Sequence, residues 1–267
     1  MNQQAPLRLS PSAVRAYREC PFKFAMDYVR RLPDDQREPT PALAVGNAVH
    51  KAIATFAKAG GKTRVTKEQL SSLLFRNWDH GQFPDPDEER RHFARAQRMV
   101  DGFWDRPYPE AGAWDVAIER SVTWAAPRCG ILATGRLDRV CMRPANTMEV
   151  IDYKTSVRPA ADGDLATDVQ ALFYRSLAAE AFRSLGAQEI RIAFYYLDSC
   201  ATAQIVFERE AFQAAWREIQ DVAAQIIAAK AKVADGSPGD LEAAFPKRPG
   251  LRCQGCPIRR KCGADRS

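Results

Sequence analysis

No apolar stretch in this chain of 267 residues is long enough to cross a bilayer, because the longest are short and broken by charge. The opening Met-Asn-Gln-Gln-Ala-Pro has neither the basic nor the apolar region of a secretion signal, so a cytoplasmic protein without a membrane partner is expected. Internal repeats, low-complexity tracts and flexible linkers are also missing. The chain therefore reads as one large domain or two closely packed ones with a substantial core. A Gly-x₄-Gly-Lys-[Ser/Thr] phosphate loop is absent as well, which excludes a nucleotide-driven motor within these residues. Neither sign of charge dominates: 39 Lys and Arg face 33 Asp and Glu, a formal net charge of +6. That excess, with a pI near 9.0, favours a polyanionic partner such as nucleic acid and says nothing about fold.

Seven cysteines in a chain expected inside the cell favour reduced, buried or metal-bound thiols over disulfides. Cys129, Cys141 and Cys200 stand alone in strand-like apolar sequence and read as small buried hydrophobes. Cys253-x₂-Cys256-x₅-Cys262 gathers three thiols within ten residues, and a cysteine near the start of the chain would supply a fourth. From spacing alone both zinc and an iron–sulfur cluster remain open, since each accepts four thiolates.

Along the chain, Ser10-Pro11 reads as the cap and first position of a helix through Tyr17 that stops near Cys20-Pro21. A second helical piece, Phe22 to Arg31, precedes a loop from Leu32 to Pro41. Val45, Val49, Ile53 and Phe56 recur at helical spacing between Ala42 and Ala59, and Gly60-Gly61 ends that helix. Two more helices are expected, at Lys67 to Trp78 and Asp87 to Trp104. The period then drops to two, predicting an antiparallel meander of strands at Asp115 to Trp124, Gly130 to Met142 and Met148 to Lys154. A helix from Val169 to Leu185, strands at Glu189 to Leu197 and Gln204 to Phe207, and a long helix from Arg209 to Ala234 follow. The remainder, 236–267, is dense in Pro, Gly, Arg and Cys and is expected to bury little apolar area, so something other than packing should hold it.

The chemistry concentrates in Met-Glu-Val-Ile-Asp-Tyr-Lys-Thr-Ser, residues 148–156, where an apolar strand ends in two opposite charges. Alternation along a strand puts Asp152 and Lys154 on one face and Tyr153 on the other. Taken alone, that is equally the pattern of a simple ion pair. Asp138, in Thr-Gly-Arg-Leu-Asp-Arg-Val, lies on the strand expected to pair with it. Two aspartates on neighbouring strands repel unless a cation sits between them, and hard divalent ions want carboxylate oxygens. His50, delivered from a helix, is a possible third ligand. Phosphodiester hydrolysis needs such a group to lower the pKa of a water and neutralise charge at phosphorus. Lys154 beside it would stabilise developing negative charge.

Asp138 followed by Asp152-Tyr153-Lys154 on the next strand resembles the PD-(D/E)XK nuclease superfamily, although Leu137 stands where the name has its proline. His50 in Gly46-Asn-Ala-Val-His50, with Gln170 and Tyr174 four residues apart on the following helix, resembles the RecB-like branch in particular. The resemblance implies His50, Asp138, Asp152 and the Tyr153 carbonyl as ligands of Mg²⁺ or Mn²⁺. It implies Lys154 as a catalytic group, and Gln170 and Tyr174 as residues that orient Lys154 or the substrate. No role follows for Glu119 on the preceding strand. Cys20-Pro21-Phe22-Lys23-Phe24 together with Cys253, Cys256 and Cys262 resembles the iron–sulfur staple of AddB-type and CRISPR-adaptation nucleases. That implies a [4Fe–4S] cluster, rather than zinc, clamping the two ends of the chain.

The resulting expectation is an α/β fold, a restriction-endonuclease-like mixed sheet flanked by helices. Residues 1–267 would form one nuclease domain: a helical N-terminal part at 1–110, a core at 111–235 and a Cys-rich tail at 236–267. Its substrate would be DNA, by family analogy single-stranded and degraded from an end in repair or recombination. It would act alone or as a subunit beside a helicase or another recombination protein. A non-catalytic nucleic-acid-binding module is the rival. Basic residues at Arg90-Arg91-x₃-Arg95-x₂-Arg98, Lys247-Arg248 and Arg259-Arg260-Lys261 form either a solvated face or a phosphate-tracking groove. Phe22, Phe24, Tyr28 and Trp104 are the candidates for base stacking.

Overall fold

The computed structural model describes residues 6–33, 36–109, 112–126, 130–156, 162–233 and 238–263. Strand β1 is Leu7–Leu9, followed by helix α1, Pro11–Glu19. Ser10 caps α1 by accepting from the Ala13 amide over 3.2 Å, and Pro11 occupies a position whose missing N–H has no helical partner to lose. Cys20 turns extended and ends the helix; Pro21 starts α2, Pro21–Phe24, which continues as one π-helical turn, Ala25–Val29. Helices α3 (Pro41–Lys58), α4 (Lys67–Arg76) and α5 (Pro86–Asp105) come next. Thr66 and Gln69 close a reciprocal capping box on α4, and Asp85 caps α5 through the amides of Asp87 and Glu88.

The sheet follows: β2 (Trp114–Ala126), β3 (Ile131–Arg143), β4 (Thr147–Lys154), then helix α6 (Val169–Ala181), β5 (Glu189–Tyr196) and β6 (Ala201–Val206). Helix α7 (Arg209–Ala231) and two short helices, α8 (Pro238–Ala244) and α9 (Arg259–Cys262), complete the chain. Strand order is β1-β3-β4-β5-β6, with β2 also paired to β3. β3 and β4 run antiparallel, as the meander predicts, but β4 lies parallel to β5 across the α6 crossover, and β5 is antiparallel to β6. The sheet is thus mixed, and helices flank it, the α/β arrangement expected from the sequence. β4 is central and buried along seven of its eight residues. The three-residue β1, parallel to β3, is too short for any periodicity to reveal.

Two compact units divide the chain. One holds residues 39–122 and 136–208. Its core joins Val49, Ile53 and Phe56 of α3, Leu70 and Leu74 of α4, and Met99 and Phe103 of α5 to Ile151, Tyr153 and Tyr195 of the central strands. Cys141 is buried there, and Cys200 sits where a Cβ on Gly102 would come within 3.1 Å of its Sγ, so that α5 approaches closely only because residue 102 is glycine. Cys129 lies outside the described residues.

The other unit holds 1–38, 123–135 and 209–267. Here the expectation of a tail that packs poorly is corrected: Leu241, Phe245 and Ile258 are buried, and Phe245 is fully enclosed. Its ring lies 6.0 Å from Phe24 and 6.4 Å from Tyr17, edge-on to the latter. A few large side chains anchor a segment whose average composition is poor in apolar residues.

Candidate active site

The β3–β4 register ends with Arg139 opposite Ile151, and the next residue on each strand is an aspartate, Asp138 and Asp152, both buried. Asp138 is held by the Tyr153 amide, which donates to Oδ2 over 3.1 Å. Helix α3 delivers His50, whose Nδ1 lies 3.1 Å from the same oxygen. Burial works to lower the His50 pKa, but the negative charge and hydrogen bond of Asp138, helped by Asp152 and Glu119, overrule it and push the imidazole up to about 9.

Glu119 is the residue whose place the sequence does not reveal. Ligand atoms of His50, Glu119 and Asp138 all lie within 4.8 Å of one another, a spacing suited to a divalent cation. Glu119 has φ 55° in the middle of β2, a left-handed conformation that costs a non-glycine residue of order 1–3 kcal/mol and re-aims the side chain. Burial raises its pKa, although Arg136, 2.9 Å away, pulls against that. An acidic residue on a neighbouring strand was visible in the sequence; the backbone kink that brings it here was not.

Asp152 faces a different set. Its Oδ1 accepts from Gln170 Nε2 over 2.6 Å and lies 3.1 Å from the Tyr174 hydroxyl. That hydroxyl has one proton to share between Asp152 and the Arg136 carbonyl, 2.9 Å away, and itself accepts from Gln170 Nε2 over 2.8 Å. Oδ2 lies 2.6 Å from Lys154 Nζ, yet no donor meets it in hydrogen-bond geometry. The short contact is an ion pair, and Oδ2 keeps acceptor capacity to spare. Burial raises the Asp152 pKa; Lys154 opposes this and Asp138 adds to it. Lys154 also donates to Gln170 Oε1 over 2.5 Å, and its Nζ stands 4.4 Å from the centre of the Phe194 ring. Gln170 therefore clamps base and acid together from α6. The Tyr153 side chain points the other way, its hydroxyl donating to the Tyr108 carbonyl over 2.8 Å.

The structure thus brings His50, Asp138 and Glu119 into one group, and Asp152, Lys154, Gln170 and Tyr174 into a second that joins it across the β3–β4 pair. The donors suit a hard divalent ion: carboxylates, an imidazole and a buried carboxylate oxygen that meets the Lys154 ammonium as an ion pair.

Other expectations need revision. Phe22 and Phe24 are core residues and present no face to a base; Tyr28 is 39% exposed, and Trp104 is half-buried beneath Lys62 Nζ at 5.4 Å. Arg95 does not wait for phosphate: it pairs with Asp198 and donates to the Thr155 carbonyl over 2.6 Å. Arg90 pairs with Asp87, Lys247 with Glu242 and Arg260 with Glu38. Arg91 and Arg98 are exposed.

Cys20, Cys253, Cys256 and Cys262 are partly exposed, and none is joined in a disulfide among the described residues. Cys20 sits at the joint of α1 and α2, Cys253 and Cys256 in and after a 3₁₀ turn, and Cys262 at the end of α9. Burial raises the Cys256 pKa, Lys23 lowers it, and Cys20 and Cys262 are near enough to raise it further. The same unit ties its segments together by Phe22 N–H to the Pro246 carbonyl (3.3 Å), Glu38 N–H to the Pro257 carbonyl (2.8 Å) and Arg252 to Glu19 (2.6 Å).

No curated protein matches the chain. A family model does: that of the PD-(D/E)XK nuclease superfamily aligns with residues 8–263, nearly the whole sequence and all of the residues just described. With its mixed sheet, paired aspartates and lysine at a strand end, the chain belongs to the PD-(D/E)XK nuclease superfamily.

Proposed function

We propose that this protein is a metal-dependent deoxyribonuclease that hydrolyses single-stranded DNA from an end, in repair or recombination. The observation that carries the hydrolytic part is the convergence of His50, Glu119 and Asp138 beside the buried Asp152–Lys154 pair. His50, Asp138 and Asp152, with the Tyr153 carbonyl and with Glu119 added by its position, would hold Mg²⁺ or Mn²⁺. Such an ion lowers the pKa of a bound water and neutralises charge on the phosphate. Lys154 contributes a cation at the end of β4, where it stabilises negative charge that grows as the phosphodiester is attacked. Gln170 and Tyr174 fix the orientation of Asp152 and, through Gln170, of Lys154.

The four cysteines suit a [4Fe–4S] cluster better than zinc by their likeness to the RecB-like staple. They are partly exposed, and Lys23 lies close to Cys256. Single-strand preference, action from an end and pathway rest on family analogy. The test is digestion of end-labelled single-stranded and double-stranded DNA by the full chain with Mg²⁺, with Mn²⁺ and with chelator. Metal-dependent shortening of single strands from an end supports the reading. Internal cuts, or a preference for duplex, would replace its substrate half. Binding without cleavage in either metal would favour the non-catalytic module, and cleavage seen only with an added helicase would make the chain a subunit.

A further inference from the structure

Four basic side chains line a cavity of about 600 Å³ in the unit that carries β1 and the tail: Arg8, Arg31, Arg37 and Lys230. Its one carboxylate among the described residues, Asp27, is already engaged, by Lys23 at 2.8 Å and Arg37 at 2.7 Å. Arg8, Arg31 and Lys230 are exposed and have no acidic partner among the described residues. Cations that outnumber acids in a concavity raise its potential and favour an anion. Some exposed arginines elsewhere on this chain, such as Arg18 and Arg252, are matched with acids.

The second feature is aromatic. Tyr28, on the π-helical turn, stacks on Phe24 with ring centres 5.2 Å apart, and its hydroxyl reaches Ser12 Oγ at 3.2 Å. Its ring is held rigid while 39% of the residue stays exposed on the cavity wall. π-helical turns occur frequently at functional sites, and Arg31 just beyond this one holds φ 52°. Fixed aromatic faces beside a cationic groove are how single strands are held without regard to sequence. The volume lies within the ~300–1,000 Å³ typical of small-ligand sites and admits one nucleotide. The hydrolytic residues His50, Asp138, Asp152 and Lys154 do not line it; they belong to the other unit.

We infer that this cavity is an anchoring site for one nucleotide of a single strand, its phosphate against Arg8, Arg31 and Lys230 and its base against Tyr28. The choice of nucleic acid as occupant rests on the nuclease reading; the site itself rests on the cavity. The test is fluorescence anisotropy of a labelled single-stranded oligonucleotide of about 12 nucleotides, bound to the full chain in chelator so that no cleavage is needed. Replacing both Arg8 and Lys230 with Ala should weaken binding and flatten the salt dependence by about 1.4 log units per log unit of salt, two contacts at ~0.7 each. Tyr28→Ala should weaken binding about tenfold and Tyr28→Phe should restore it. Deoxyadenosine monophosphate should compete weakly, and inorganic phosphate more weakly still. Unchanged affinity and slope in the double variant, or wild-type binding by Tyr28→Ala, would overturn the proposal. So would tight binding of the mononucleotide with no binding of the strand. Variant-sensitive binding without metal-dependent cleavage sinks only the nuclease reading, and the reverse pattern sinks only the cavity.

Discussion

Lys154 Nζ and Asp152 Oδ2 stand 2.6 Å apart at the end of β4, and Gln170 spans them, accepting from the lysine and donating to the other carboxylate oxygen. An ion pair serving stability alone gains little from this arrangement, since taking both charges out of water offsets much of their attraction. Two residues apart on one strand face, the groups are instead held ready to meet a third charged species.

Lys154→Ala should therefore cut phosphodiester hydrolysis by about 10²–10³, the loss expected when one donor to developing charge is removed. Asp152→Asn should abolish metal-dependent cleavage while leaving strand binding in chelator intact. Single-turnover cleavage beside anisotropy separates the two effects, and an Asp152→Asn protein that cuts at the wild-type rate would remove this carboxylate from the site.

Much of this was legible in the sequence because its signals are local. Alternation placed Asp152 and Lys154 on one face, and Gln170 and Tyr174 fell one helical turn apart. What escaped depends on context a single stretch does not carry. Glu119 enters the site through a left-handed backbone inside β2, against the preference of its residue type. The parallel partner of β4 is set by the α6 crossover, and Phe245 anchors a tail whose composition argues against packing. Arg95 sits in a basic run that resembles a phosphate path, yet its partners come from residues 60 and 103 positions away.

Metal binding should release a proton from His50. In the metal-free protein its pKa stands at about 9, so at neutral pH the imidazole is charged, whereas a ligand must be neutral. Metal affinity should rise with pH until about 9, and calorimetry in buffers of different ionisation enthalpy near pH 7.5 should report about one proton lost. The same shift has a stability consequence. Because the folded pKa lies above the ordinary 6.5, the contribution is fully present below about 6.5 and lost as pH rises through about 9. The thermal midpoint of metal-free protein should fall across that window, and His50→Asn should remove that part of the slope.

The tail should be held twice, by packing and by thiolates. Phe245→Ala deletes a fully buried ring and should cost about 3–5 kcal/mol in denaturant unfolding, with any cluster colour retained in the folded fraction. Cys256→Ala should abolish the broad absorbance near 400 nm of anaerobically purified protein and lower its stability. Colourless wild-type protein carrying one equivalent of zinc would decide for the other metal while keeping the clamp.

Arg95 should act by position and not by binding DNA. From α5 its guanidinium donates to Asp198 Oδ2 and to the carbonyl of Thr155, the residue after Lys154, while the Leu197 amide donates to the Lys154 carbonyl over 2.9 Å. Together these fix the end of β4, where a small displacement would misplace the lysine. Arg95→Met removes the tether but preserves much of the side chain's apolar stem, so the fold should survive. The expected result is a kcat lower by roughly tenfold, equivalent to ~1.4 kcal/mol of lost transition-state stabilisation, with KM and the salt dependence of binding unchanged. A phosphate contact would behave differently: removing it would raise KM and flatten the salt slope by about 0.7 on single strands. Asp198→Asn should reproduce part of the kcat loss, since it weakens the other anchor of the same guanidinium. A flattened slope in Arg95→Met with kcat intact would return Arg95 to the basic groove its sequence neighbours suggest.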